Sequence, residues 1–111
     1  MNILILGSSP VAEAIAMFFC NEKHSVTIAD HHHQRLTAIQ SHLVVRCIHG
    51  HPSYPDVLRR AEAGQAELLI AVCDQDEINM LACQVAHSLF SIPKKIARIS
   101  SSHYLARHEL F

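Results

Sequence analysis

Residues 3–13 read ILILGSSPVAE: four aliphatic residues, a glycine, two serines, a proline and the start of a helical pattern. An almost unbroken apolar run of this length suits a central strand covered on both faces of a parallel sheet. Proline is accepted in the first turn of a helix because its missing N–H has no intrahelical partner there. The stretch therefore predicts strand, tight turn, helix. At this corner dinucleotide folds carry the fingerprint G-x-G-x-x-G/A, which here becomes Gly7-Ser8-Ser9-Pro10-Val11-Ala12. Gly7 can make the sharp turn, and Ala12 is the permitted small residue where helix meets strand. Ser9 stands where the second glycine lets backbone approach a pyrophosphate. If that position needs positive φ, serine adds about 1–2 kcal/mol of strain, against about 1 kcal/mol returned by a hydroxyl aimed at phosphate oxygen. The N–H groups that open the helix still favour an anion, so the turn is weakened rather than destroyed.

Outward from this corner, short aliphatic runs alternate with stretches of helical period. Strands are expected at NILIL (2–6), SVTIA (25–29), LVVRCI (43–48), ELLIAV (67–72) and KKIARI (94–99). The first helix, residues 10–21, places Val11, Ile15, Phe18 and Phe19 on one stripe. The second, 32–42, buries Leu36 and Ile39, with Leu43 beyond its end; the third, 55–63, opens with proline and presents Val57, Leu58 and Ala61; the fourth, 76–90, carries Ile78, Leu81, Ala82, Val85 and Leu89. A fifth helix over 103–110 ends the chain. Such alternation implies βαβ crossovers, and hence an α/β, Rossmann-like, doubly wound parallel sheet of about five strands in the order 3-2-1-4-5.

In such sheets a ligand lies beyond the carboxyl ends of the strands, where neighbouring connections leave on opposite faces, here between strands one and four. Asp30 ends strand two at 30 − 7 = 23 residues from the first glycine. A carboxylate there can accept both ribose hydroxyls and repels a 2′-phosphate, so NAD or an adenosine nucleotide fits better than NADP; its other reading is the N-cap of helix two. After strand three, HGHPSYPD (49–56) contains Gly50, either a site of close backbone approach to an adenine or a plain turn. After strand four, VCDQDEIN (72–79) holds Asp76, either an N-cap with Glu77 beside it or part of the ligand site. Arg98, inside strand five, needs a partner: a carboxylate such as Asp74 or Asp76, or a ligand phosphate. The run His31-His32-His33 does not read as a metal site, because neighbours on a helix diverge by about 100° and cannot easily share one ion.

Composition narrows the function. With 111 residues, half of them hydrophobic and 17% charged, the chain is expected to form one folded domain. Its net charge of −1 includes no basic block that could track a phosphate backbone, which argues against nucleic acid. The longest apolar runs fall far short of the roughly 20 residues needed to cross a bilayer, and the N-terminal residues lack a basic leader, so a cytoplasmic protein without membrane insertion is expected. Cys20, Cys47, Cys73 and Cys83 form no C-x-x-C pair and read as small buried hydrophobes in a reducing compartment. No nucleophile-and-base arrangement is evident at the expected ligand mouth, so no enzyme is expected.

These residues resemble a known family, the N-terminal nucleotide-binding lobe of TrkA-type potassium-uptake regulators (RCK or KTN domains). The resemblance runs over the whole chain and is carried by ILILG…VA, by Asp30 with Arg35, by HGHPSYPDVLRRAEAGQAELLIAV, by DEINMLACQVAHSLF and by KKIARISSSHYL. It implies a regulator on the cytoplasmic face of the membrane that binds NAD(H) or ATP/ADP and transmits occupancy to a membrane potassium channel or transporter subunit. It further implies a homo-oligomer and a single lobe, residues 1–111, of a longer chain; the terminal helix (Tyr104, Leu105, Leu110, Phe111) reads either as the contact between copies or as a stripe that covers the sheet within one chain. The implied cofactor-binding residues are Gly7, Ser8, Ser9, Pro10 and Val11 for phosphates, Asp30 and His31 at the ribose, and Arg35 beside the adenosine. Gly50 and His51 would lie near the base, Cys73, Asp74 and Glu77 would line the second half-site, and Arg98 would meet a terminal phosphate. Cys73 stands where the family commonly has threonine, and Ser100 where a second arginine often follows Arg98. Two other functions are compatible with the sequence: a degenerate lobe serving assembly only, and a dehydrogenase fragment.

Overall fold

The computed structural model describes residues 1–106. Five parallel strands, β1 (Asn2–Leu6), β2 (Ser25–Asp30), β3 (Arg46–His49), β4 (Leu68–Ala71) and β5 (Lys94–Ala97), form one sheet in the order β3-β2-β1-β4-β5. Between them run α1 (Pro10–Asn21), α2 (His33–Gln40), α3 (Pro55–Arg60) with a 3-10 turn at Ala63–Gln65, and α4 (Asp76–Val85) continued by a π-helical turn at Ala86–Phe90. A short helix, α5 (Ser102–Leu105), follows β5. The doubly wound parallel architecture is the one the alternation of patterns predicts.

β1 is central, and its side chains divide the core. Ile3 and Ile5 join Ala12, Ala16, Val26, Ile28, Leu36, Ile39, Ile70 and Val72 beneath α1 and α2. Leu4 and Leu6 join Val57, Leu58, Leu69, Ala71, Ala82, Ala86 and Ile92 beneath α3 and α4. Because successive strand residues face opposite sides, a four-residue aliphatic run is what a doubly covered strand requires. Both layers thus meet at β1 and β4, which pair from Ile3↔Leu68 to Leu6↔Ala71.

Several local expectations are corrected. On α1 the buried stripe is Ala12 and Ala16, flanked by Ile15 and Phe19, whereas Val11 and Phe18 are exposed. Small residues bring this helix close to the sheet, and the 12/16/19 spacing, not 11/18, faces it. Leu81 and Leu89 are likewise exposed on the outer side of α4 and its π turn. β3 begins at Arg46, not at residue 43: residues 41–43 complete the last turn of α2, with the Leu43 N–H donating to Ile39 O at 3.0 Å, and Val44 is 96% exposed. The third helix stops at Arg60 because Glu62 turns left-handed (φ 59°) before the 3-10 turn. The helix after β5 spans only Ser102–Leu105, with Leu105 exposed; Leu110 and Phe111 lie outside the described residues.

Candidate functional site

At the carboxyl ends of β1, β2 and β4 the chain leaves a cleft of about 380 Å³, lined by Gly7, Ser8, Ser9, Asp30, His31, His32, Arg35, His51, Pro52, Val72, Cys73, Asp74, Gln75 and Ile78. That volume lies at the lower end of the range for small-molecule sites. Its position is the switch point, since the connection from β1 crosses one face of the sheet and that from β4 the other.

The β1–α1 turn forms the floor. Gly7 has φ +121°, and a Cβ there would come within 2.9 Å of the Val72 carbonyl oxygen, so this glycine answers both to backbone sign and to contact with the end of β4. Its N–H donates to Ala29 O at 3.0 Å, extending the β1–β2 pairing into the turn. Ser9 is the N-cap of α1 with φ −69° and ψ 171°. This is extended backbone, so the left-handed strain considered for serine at this position does not arise. Its Oγ is buried and has no hydrogen-bond partner among the described residues, while its carbonyl accepts the Glu13 N–H at 3.0 Å. A buried hydroxyl without a partner at a helix N-terminus suits a phosphate-bearing ligand.

Asp30, only 4% exposed, ends β2 at the cleft wall. One carboxylate oxygen accepts the Ser8 hydroxyl, and the other lies 3.4 Å from His31 Nδ1. Asp30 does not cap α2. That position belongs to His32, whose Nδ1 accepts the Arg35 N–H at 3.3 Å. On the opposite wall, His51 stacks on Tyr54 with ring centroids 4.4 Å apart, and its Nδ1 accepts the Ser53 N–H at 3.2 Å. Gly50 falls outside the lining: a Cβ there would meet Val57 Cγ2 at 2.5 Å, so α3 packing accounts for the glycine.

The β4–α4 connection closes the second half of the cleft. Cys73 is buried, and desolvation, reinforced by the nearby charges of Asp30 and Asp74, pushes its thiol up to about 12. Such a thiol is no nucleophile at neutral pH. Asp74 is exposed and lies 3.7 Å from Arg35 and 3.9 Å from Arg98. Of the two carboxylates suggested as partners of Arg98, Asp74 is the one within reach. The same guanidinium donates to Cys73 O at 3.0 Å, and its Nε has no partner among the described residues. Arg98 sits just past β5, behind the lining. Asp76 is not an N-cap either; Gln75 holds that place. The Asp76 carboxylate instead accepts the Ser100 and Ser101 N–H groups at 2.9 and 2.7 Å, and these bonds hold its carboxyl below the usual carboxylate range.

Most of the candidates from sequence converge on the cleft; Pro10, Val11, Gly50, Glu77 and Arg98 do not line it. Val11 faces solvent, and Glu77 accepts the Tyr104 hydroxyl at 2.7 Å. His32, Pro52, Val72, Gln75 and Ile78 also line the cleft without a motif that singles them out, and Asn79 holds it together. Fully buried on α4, Asn79 accepts the Cys73 N–H at 2.8 Å and donates to Cys73 O at 3.0 Å and Arg98 O at 2.9 Å. An amide among Ile78, Ala82 and Val85 on an otherwise apolar helix face was the available signal.

Sheet order, switch-point cleft and opening turn together define a Rossmann-type lobe. Two solved structures share that fold: a Shewanella denitrificans Kef C-terminal domain in an AMP-bound form, with a TM-score of 0.84, 18% identity and coverage of 98% of this chain and 65% of that one; and the NAD(P)-binding domain of an exopolyphosphatase-related protein from Archaeoglobus fulgidus, with a TM-score of 0.81, 13% identity and coverage of 97% and 80%. The TrkA-N domain model matches residues 3–110, and the chain belongs to that family. It is 44% identical over 111 residues to the Trk system potassium uptake protein TrkA of Halomonas elongata, covering all of this chain and 24% of that protein. It is 46% identical over 105 residues to the TrkA of Azorhizobium caulinodans, covering 95% and 23%. The chain thus spans about a quarter of the length of these relatives. Among its described residues no helix is long and apolar enough to cross a membrane.

Proposed function

We propose that this chain is a regulatory nucleotide-binding lobe that holds NAD(H) or ATP/ADP in the switch-point cleft and passes the state of that cleft to a membrane potassium channel or transporter. The observation that carries the reading is the convergence of three groups: the α1 N-terminus with its unpartnered Ser9 hydroxyl, the buried Asp30 carboxylate, and Arg35 at the rim. The helix N-terminus and Ser9 receive phosphate. Asp30 exchanges its bond from Ser8 for ribose hydroxyls, with His31 alongside. Arg35 lies beside the adenosine, His51 near the base, and Cys73 and Asp74 form the second half-site. Gly7, Pro10 and Val11 shape the turn, Gly50 seats the β3–α3 loop, Glu77 ties α4 to α5 through the Tyr104 hydroxyl, and Arg98 reaches a terminal phosphate.

The names of the TrkA relatives support potassium transport, and AMP in the Kef structure supports an adenosine ligand. The lobe acts as a homo-oligomer at the cytoplasmic face of the membrane, without catalysis. Calorimetric titration with NADH, NAD, ATP and ADP tests the reading: heat from at least one, abolished by Asp30→Ala, is expected, and no heat from any at near-millimolar ligand overturns it. Potassium uptake by cells carrying Asp30→Ala, set against wild type at equal protein level, tests the link to transport, and equal uptake breaks that link.

One observation favours the second reading, a lobe kept for assembly alone: the Asp30 carboxylate is already satisfied by Ser8. Ser8→Ala separates the two. A live site binds nucleotide more tightly once the carboxylate is released, whereas a vestigial one is indifferent.

A further inference from the structure

We infer that Asp74 is a built-in anion that competes with ligand phosphates for Arg35 in the cleft lining and Arg98 behind it, biasing the cleft toward adenosine ligands with few phosphates; this deepens the nucleotide-binding reading and rests on it. Asp74 stands at the cleft mouth on the β4–α4 connection. Its oxygens are divided between two cations: Oδ2 lies 3.7 Å from a guanidinium nitrogen of Arg35 on α2, and Oδ1 lies 3.9 Å from one of Arg98, just past β5. A single carboxylate thus faces two cations held on opposite halves of the sheet, Arg35 in the cleft lining and Arg98 behind it.

Asp30 and Asp74 contribute two negative charges, and Arg35 and Arg98 two positive ones, so these four groups cancel before any ligand arrives. A phosphate entering between the arginines must displace Asp74 or lie beside it, and each added phosphate charge increases that repulsion. The uncharged adenosine portion meets no such cost. Arg98 is held in place by its bond to Cys73 O, so the guanidinium that faces Asp74 is fixed. With Asp74 68% exposed, both ion pairs are long and solvated; pairs of that kind are weak, so the carboxylate can be displaced and tunes the site rather than blocking it.

The test titrates wild type, Asp74→Asn and Asp74→Glu with adenosine, AMP, ADP and ATP, and with inorganic tripolyphosphate as a probe lacking the nucleoside, at low and high salt. Asp74→Asn is expected to tighten ATP about three- to tenfold, ADP less and adenosine not at all beyond about twofold, in line with the strength of two exposed ion pairs. The gain shrinks at high salt, where exposed charges are screened, and Asp74→Glu follows the wild type. Equal gains for adenosine and ATP, or no gain for ATP, overturn the role of Asp74 and leave the nucleotide reading standing. If no nucleotide binds any variant, the nucleotide reading falls; tripolyphosphate then decides separately, its tightening in Asp74→Asn supporting the built-in anion and its indifference overturning it.

Discussion

Asn79 grips Cys73 from both sides of its peptide, accepting its N–H at 2.8 Å and donating to its carbonyl at 3.0 Å. A fully buried amide thereby sets the backbone that forms one wall of the cleft, and through Arg98 O it ties that wall to the end of β5. Replacing Asn79 with Leu leaves the Cys73 N–H without its acceptor in a dry environment. The expected cost is about 2–4 kcal/mol, measured as a lower urea midpoint at unchanged slope, and nucleotide affinity falls with it.

Gly7→Ala tests the opening turn. The new Cβ must enter a φ of +121° and come within 2.9 Å of Val72 O, so a loss of about 2–4 kcal/mol is expected. Gly64→Ala is the control: nothing lies within 4 Å of its Cβ position, and its stability should change by no more than about 0.5 kcal/mol. Equal effects in the two variants would remove the steric account of Gly7.

Ser9→Ala should separate stability from binding. Removing a buried hydroxyl that has no partner among the described residues leaves stability unchanged or raises it by about 1 kcal/mol. The same change should weaken phosphate-bearing nucleotides by about five- to tenfold, the equivalent of a hydrogen bond worth about 1 kcal/mol. Calorimetry and thermal unfolding on one preparation read both effects.

The pH dependence of stability is assigned to Asp76. Its folded-state pKa is held low, first by the Ser100 N–H and then by that of Ser101, so between the folded and unfolded values the unfolded chain binds more protons. The stabilisation is therefore complete above the unfolded carboxylate value of about 3.9, and it is lost as pH falls through the lower folded value. Urea midpoints should drop on acidification below about pH 4, and Asp76→Asn should flatten that slope while lowering stability at neutral pH.

Much of this molecule could be read locally. The aliphatic runs at Ile3–Leu6 and residues 68–72, the prolines that open α1 and α3, and the glycine after β1 are signals carried by a few neighbouring residues. They determine strand, helix and turn because the two side-chain periods and the backbone freedom of glycine act over that range. Local pattern was less reliable for which residues of an amphipathic helix touch the sheet: Val11 and Phe18 satisfied an apolar stripe, yet Ala12 and Ala16 allow the close approach.

The sequence by itself determined the doubly wound sheet, the placing of the cleft at its switch point and the presence there of Gly7, Ser9 and Asp30. Only the tertiary structure decided what each polar group does: that Ser8 occupies Asp30, that Asp76 holds backbone 24 and 25 residues away, that Gly50 makes room for Val57, and that one carboxylate, Asp74, faces two arginines. Those roles depend on which distant segments are brought within about 3–4 Å of one another, the range over which hydrogen bonds and ion pairs act. No spacing along the chain encodes that distance.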